Sequence, residues 1–181
     1  MGLISPFFIL LTICFTSSIQ KKSSNLLEPL LRVKMQELNF PAYKFRFKSS
    51  ENKVSIFDRI RKKFIILTPE EWVRQHTVQY LIEEKKYPES LINVEKLVKV
   101  NDLNKRYDII IYKPNGDIHL IVECKSHKVK ITQEVFDQIA RYNLALNAEY
   151  LMITNGMDHY YCQMNYKEKQ YSFLKDIPSY K

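Results

Sequence analysis

Two acidic side chains and a lysine are spaced in this chain as a cation site needs them. Asp108 lies one residue into the apolar run Tyr107–Tyr112, and after fourteen intervening residues Glu123-Cys124-Lys125 closes a second apolar run that starts at Ile118. If the runs pair as a hairpin, the carboxylates meet at one end, where they can hold a hard divalent cation that takes oxygen ligands and keeps several waters. Side chains alternate along a strand, so Glu123 and Lys125 share a face. The ammonium can then orient or help deprotonate a water and offset charge on an anion. Mg²⁺ in such a place lowers the pKa of its bound water, which is how phosphodiester hydrolysis is commonly assisted. Taken alone, an Asp and a Glu-x-Lys also suit a solvated strand end.

The helix expected after the hairpin adds polar residues. Gln138 and Tyr142 are i, i+4 neighbours on one helix face and can approach the same site, and Arg141 belongs to the polar surface beside them. Other candidates are weaker. His119 alternates with apolar residues and His127 follows Ser126 in a loop, and neither has a partner at metal-ligand spacing. Trp72 reads as core. Asn155-Gly156 reads as a turn that could touch a ligand. The basic run Arg59, Arg61, Lys62 and Lys63 is either a solvated face or a phosphate-contacting edge.

The elements that must position these residues are marked by local signals. Thr68-Pro69-Glu70-Glu71 combines an N-cap, a proline at the first helical position and an acid three residues after the cap, which predicts a helix to about Glu84. Tyr43–Lys48 alternates aromatic and basic residues at period two, the pattern of a half-buried strand, and Val54–Phe57 is a second extended piece. Strands are expected over Val94–Val100, Tyr107–Tyr112, Ile118–Glu123 and Tyr150–Ile153, with Pro114-Asn115-Gly116-Asp117 as a hairpin turn. Val135, Ile139, Tyr142 and Leu146 recur at helical spacing, predicting a helix over 131–146. Tyr160–Met164 and Tyr171–Leu174 read as peripheral strands. This order predicts an α/β fold with a mixed central sheet flanked by helices.

Composition bounds the rest. The 181 residues hold 28 Lys and Arg against 20 Asp and Glu, a net charge of +8, with 45% hydrophobic residues and only three Gly. No G-x-x-x-x-G-K-[ST] or G-x-G-x-x-G occurs, so these residues supply no nucleotide-driven motor and no nucleotide is expected as partner. The positive balance points to anionic partners. Leu3–Phe15 is uncharged, too short to span a bilayer as a helix, and resembles a signal h-region without basic residues before it or an A-x-A site after it. Residues 1–34 are thus either a signal-like segment or an extension before a true start at Met35, and the second reading is favoured. It leaves 24 basic and 19 acidic residues, a net +5, in a single domain over 35–181. A start at Met35 implies a cytoplasmic protein, a working signal implies export, and a membrane partner is not expected. Three cysteines make no disulfide framework.

The blocks LTPEEWVRQ (67–75), KRYDIIIY (105–112), LIVECKS (120–126), FDQIARYN (136–143) and YLMITNG (150–156) resemble the N-terminal nuclease domain of type I restriction enzyme R subunits. That domain belongs to the PD-(D/E)XK nuclease superfamily, in the subgroup carrying Q-x-x-x-Y, here Gln138 to Tyr142. The resemblance runs from about Met35 to the end and implies a restriction-endonuclease-like core that cleaves DNA with Mg²⁺, for which Mn²⁺ can substitute. It implies metal ligation by Asp108, Glu123, a helix Glu and the Cys124 backbone carbonyl, with Lys125 serving the water. Gln138, Arg141 and Tyr142 would contact substrate, Gln138 also positioning Lys125. Glu70, four residues before Arg74 and on its face, is favoured over Glu71 as the helix acid, since the Thr68 capping box uses Glu71. Tyr107 stands where the family pattern has Pro. R subunits couple this chemistry to a helicase, so a motor or specificity protein would come in trans. The alternative is a catalytically silent nucleic-acid-binding or assembly module of the same fold.

Overall fold

A computed structural model describes residues 35–50, 53–100, 103–143 and 146–180, except the side chains of Val100, Leu103 and Tyr142. The reading of residues 1–34 therefore lies outside the described residues. Three short strands, β1 (Phe47–Ser50), β2 (Lys53–Asp58) and β3 (Lys63–Ile66), form an antiparallel sheet. The main sheet is six-stranded: β4 (Ile92–Val100), β5 (Leu103–Tyr112), β6 (Ile118–Cys124), β7 (Tyr150–Thr154), β8 (His159–Asn165) and β9 (Gln170–Leu174), in that order. All neighbours are antiparallel except β6 and β7, which are parallel and joined through α2 (Gln133–Asn143). A parallel pair needs such a crossover. The result is an α/β fold with a mixed sheet, as the element order predicts.

The middle strands are apolar throughout because both faces of the sheet are covered. Ile109, Ile111, Leu120, Val122, Cys124 and Met152 pack on the side of α1 (Pro69–Glu83), and Ile110, Ile121, Leu151, Ile153 and Cys162 on the side of α2 with Phe136 and Ile139. β8 is thus paired on both sides within the sheet, not peripheral, whereas β9 is an edge strand, as β4 is at the other end. The turn before β6 has Gly116 at a φ of 91°. Thr68 Oγ1 accepts from the Glu71 N–H at 3.1 Å, capping α1.

α1 lies between the two sheets. Val73, Val78 and Leu81 face the main core, and Gln75 donates to Asp58 of β2 at 3.0 Å. Glu71, Arg74, Gln75, His76 and Thr77 are buried as well, so this helix shows no simple apolar stripe. Trp72 is half-buried between Phe45, Phe47 and His76, and its indole donates to Gln36 O at 2.9 Å. Residues 43–46 are not strand, although their alternation holds: Phe45 turns inward to Trp72 while Lys44 and Arg46 are exposed.

Asn155-Gly156 is a clamp for the segment before β1. Asn39 N–H donates to Gly156 O at 2.7 Å, and Gly156 has a φ of 85°. A Cβ there would lie 2.8 Å from Leu38 Cδ2 and 3.1 Å from Val73 Cγ2, so the positive φ favours glycine and any larger residue would have to push the Leu38 side chain aside. His119 is also structural, set between Glu149 Oε2 and the Tyr87 hydroxyl at 3.0 and 3.2 Å. No helix among the described residues is long and apolar enough to cross a membrane.

Candidate active site

Asp108, Glu123 and Lys125 come from adjacent strands at one end of the main sheet. The register Ile109↔Val122 places Asp108 and Glu123 one step further along the same antiparallel pair. Strict alternation would put Asp108 on the face of Ile110. Instead Tyr107 packs in the same core as Ile110, and the Asp108 carboxylate reaches α1. The neighbouring strand is irregular at the same level, where Glu95 takes a φ of 54°. That local departure aims the acid between helix and sheet.

Asp108 is held on both oxygens. Oδ2 accepts the Cys124 N–H at 2.7 Å, and Oδ1 accepts from Arg74 Nη2 at 2.5 Å. The Arg74 guanidinium is 6% exposed and also meets Glu71 Oε2 at 2.5 Å, Glu95 Oε1 at 2.8 Å and Glu70 Oε1 at 3.3 Å. Burial alone would lower its pKa, but Asp108 and Glu71 outweigh burial and hold it above its ordinary value. Arg74 is therefore a fixed cation in this cluster. The four-residue spacing to Glu70 was its only signal in the sequence; Glu95 gave none.

Glu123 is buried on the other side of Asp108. Lys105 Nζ pairs with its Oε1 at 3.2 Å. Burial raises the Glu123 pKa, Lys105 and Lys125 oppose the rise, and Asp108 adds to it. Lys125 is half-buried, and its N–H donates to Thr154 O at 2.8 Å, fixing the residue as β6 ends. Burial also raises the Glu70 pKa, with Asp108 adding and Arg74 and Lys125 opposing. Glu70 thus shares one electrostatic neighbourhood with Asp108 and Lys125, its carboxyl half-exposed.

Glu71 belongs to a different arrangement. Its two oxygens are taken by Arg61, Gln75 and Arg74. The Cys124 thiol is fully buried, 3.9 Å from Thr77 Oγ1, and burial pushes its pKa well up, which leaves it an unreactive thiol. Gln138 and Arg141 are exposed on α2, with Arg141 Nε bonded to Asp137 O at 3.2 Å. No contact among the described residues joins them to the carboxylates, and the Tyr142 side chain lies outside those residues. The basic turn Arg59–Lys62 is occupied internally: Arg59 and Lys62 pair with Glu89, and Arg61 with Asp58 and Glu71.

A mixed sheet covered by helices, with an acid and a Glu-x-Lys on adjacent strands of its centre, defines an α/β domain of restriction-endonuclease-like architecture. The sequence profile of the family described as Type I restriction enzyme R protein N terminus matches residues 69–178, and the chain belongs to that family. The match opens at α1, so β1–β3 precede it. No curated protein matches the chain. Among solved structures, it is similar to a fragment assigned as an HsdR subunit of a type I restriction enzyme from Vibrio vulnificus YJ016. The identity is 18% and the TM-score 0.45, covering 62% of this chain and 24% of that one.

Proposed function

We propose that the domain hydrolyses phosphodiester bonds of DNA with the help of Mg²⁺ or Mn²⁺. The observation that carries this reading is the meeting of the buried Glu123 carboxylate with Asp108 and Lys125 in one electrostatic neighbourhood. Burial and the neighbouring Asp108 charge disfavour the ionised Glu123 carboxylate, and a divalent cation beside the two acids would offset that cost. Asp108, Glu123 and the Cys124 carbonyl are hard oxygen donors of the kind such an ion takes. Among the described residues no group of three His, Cys, Asp or Glu side chains gathers at one point; Mg²⁺ binds through one or two carboxylates and keeps waters, and Asp108 with Glu123 would be those two. Glu70 is the acid that would complete the set from α1.

When bound, the ion would lower the pKa of a water and polarise the phosphate. The chain's own residues do the positioning. The Cys124 N–H and Arg74 fix the Asp108 carboxylate, and Lys125 offers a cation and a hydrogen-bond donor to the attacking water or to phosphate oxygens. Gln138, Arg141 and Tyr142 would meet substrate from α2.

One feature favours a second reading, a silent assembly module. The Arg74 guanidinium, 2.5 Å from Asp108 Oδ1, offsets the charge of that acid from within the fold. A plasmid assay separates the two. Incubated with Mg²⁺ or Mn²⁺, the protein is expected to nick or cut plasmid DNA, and Asp108→Ala and Lys125→Ala to abolish this. If all three proteins leave the plasmid intact, or all three cut alike, the nuclease reading is wrong.

A further inference from the structure

The positive charge is concentrated outside the candidate active site. Residues 35–68 carry eight Lys and Arg against three Asp and Glu, whereas residues 69–181 carry sixteen of each. The whole +5 of residues 35–181 therefore belongs to the small sheet and its flanks, the part that precedes the family match.

The register of that sheet sorts its residues into two faces. Phe47, Ile56 and Ile65 form one cross-strand row; Ile56 is fully buried and Phe47 lies against Trp72 of α1. The alternate rows are Lys48, Ser55 and Ile66, and Phe57 with Phe64. This outer face is open to solvent, with Phe64 42% and Ile66 53% exposed. The Arg46 guanidinium stacks 3.6 Å above the Phe57 ring, and the Phe57 and Phe64 rings meet edge to face at 5.2 Å. Lys48 and Lys53 are exposed on the same face, and no ion pair engages them among the described residues. The charges of the β2–β3 turn, by contrast, are already paired.

Cations interleaved with exposed rings on a sheet form a surface on which unpaired bases stack while the cations follow the backbone. A duplex hides its base faces and could use only the charges. A second copy of the chain would bring the same positive face and be repelled. We propose that the outer face of the β1–β3 sheet docks a single-stranded DNA segment, with Phe64 stacking a base and Arg46, Lys48 and Lys53 meeting phosphates. The choice of DNA over RNA rests on the function proposed above; docking itself requires no cleavage.

The test is fluorescence anisotropy of the full chain in EDTA, with labelled oligo(dT), a DNA duplex of equal length and oligo(U). Oligo(dT) is expected to bind more tightly than the other two. Phe64→Ala is expected to weaken oligo(dT) binding by roughly tenfold or more, as loss of one stacked base does. Lys48→Glu with Lys53→Glu should weaken binding and flatten its salt dependence, since fewer counterions are released. These side chains are exposed, so the variants should melt with the parent. Absence of binding at low salt overturns the proposal, as does a duplex bound as well as oligo(dT) with Phe64→Ala inert. Preference for oligo(U) overturns the choice of DNA. Displacement by polyglutamate irrespective of Phe64 assigns the face to an acidic protein, and self-association lost in Phe64→Ala assigns it to a second copy. Because EDTA removes divalent cations, this readout stands or falls apart from the plasmid assay.

Discussion

Glu71 and Glu123 are both buried carboxylates, 4% and 7% exposed, yet they are treated differently by their surroundings. Glu71 accepts from Arg61 at 2.9 Å, Gln75 at 2.8 Å and Arg74 at 2.5 Å, all on elements that bring sheet, turn and helix together. Glu123 is met by Lys105 at 3.2 Å, while burial and the Asp108 charge push its pKa up. A saturated buried carboxylate is a structural joint. One that burial and a second acid push toward its neutral form, beside a lysine, is placed to gain from a bound cation. Arg74 links the two regions, since it grips both Glu71 and Asp108.

Substitutions can break this contrast, the largest effect being on chemistry. Lys125→Ala is expected to lower DNA cleavage by roughly 10²–10⁴-fold, the scale of a lost proton-handling or charge-stabilising group, while the melting temperature stays near that of the parent. A variant that unfolds early would instead make Lys125 a structural residue. Next in size, Glu71→Ala leaves Arg61 and Arg74 without their shared anion inside the fold. Urea unfolding should show a loss of about 3–5 kcal/mol, as when one member of a buried ion pair is removed. Glu123→Gln, measured the same way without metal, should leave stability at pH 7 unchanged or raise it by up to ~1 kcal/mol, because a poorly compensated buried charge is removed. Equal losses in both variants would erase the distinction between the two acids.

Smaller effects test the frame around α1. Gly156→Ala should cost about 1–2 kcal/mol, from the positive φ and the close approach of Leu38 and Val73. A loss confined to experimental error would remove the clamp from the account. Least in size is a pH effect. His76 lies among Phe40, Phe45 and Trp72, and burial lowers its pKa below 6.5. The unfolded chain then takes up a proton near that pH which the folded chain refuses, so this contribution to stability is present above about 6.5 and is lost as pH falls. The urea midpoint of His76→Phe should therefore drop less between neutral and mildly acid pH than that of the parent. An identical drop would show that His76 does not contribute.

Local signals made most of the fold legible. Thr68-Pro69 marks the start of α1, Pro114–Asp117 marks the β5–β6 turn, and the β-branched runs mark strands buried on both faces. What stayed hidden depends on contacts distant in sequence. The aromatic stripe Phe45, Phe47 is intelligible only once Trp72 is placed beneath it. The polar residues of α1 are buried because a second sheet covers the helix, and period 3.6 cannot announce a helix that has two insides. At the site, the spacing of Asp108 from Glu123-Cys124-Lys125 was readable because it depends on one hairpin. Arg74 was not, because its partners Asp108 and Glu95 lie on two other strands and reach it through the irregularity at Glu95.

The most direct measurement is the change in melting temperature on adding Mn²⁺, compared among the parent, Glu71→Gln and Glu123→Gln. A ligand that binds only the folded state raises the midpoint with its concentration. Mn²⁺ is expected to stabilise the parent, Glu71→Gln to start lower but keep a similar rise, and Glu123→Gln to lose the rise. A full Mn²⁺-dependent rise in Glu123→Gln would contradict the assignment of Glu123, with Asp108, as the place where the metal binds.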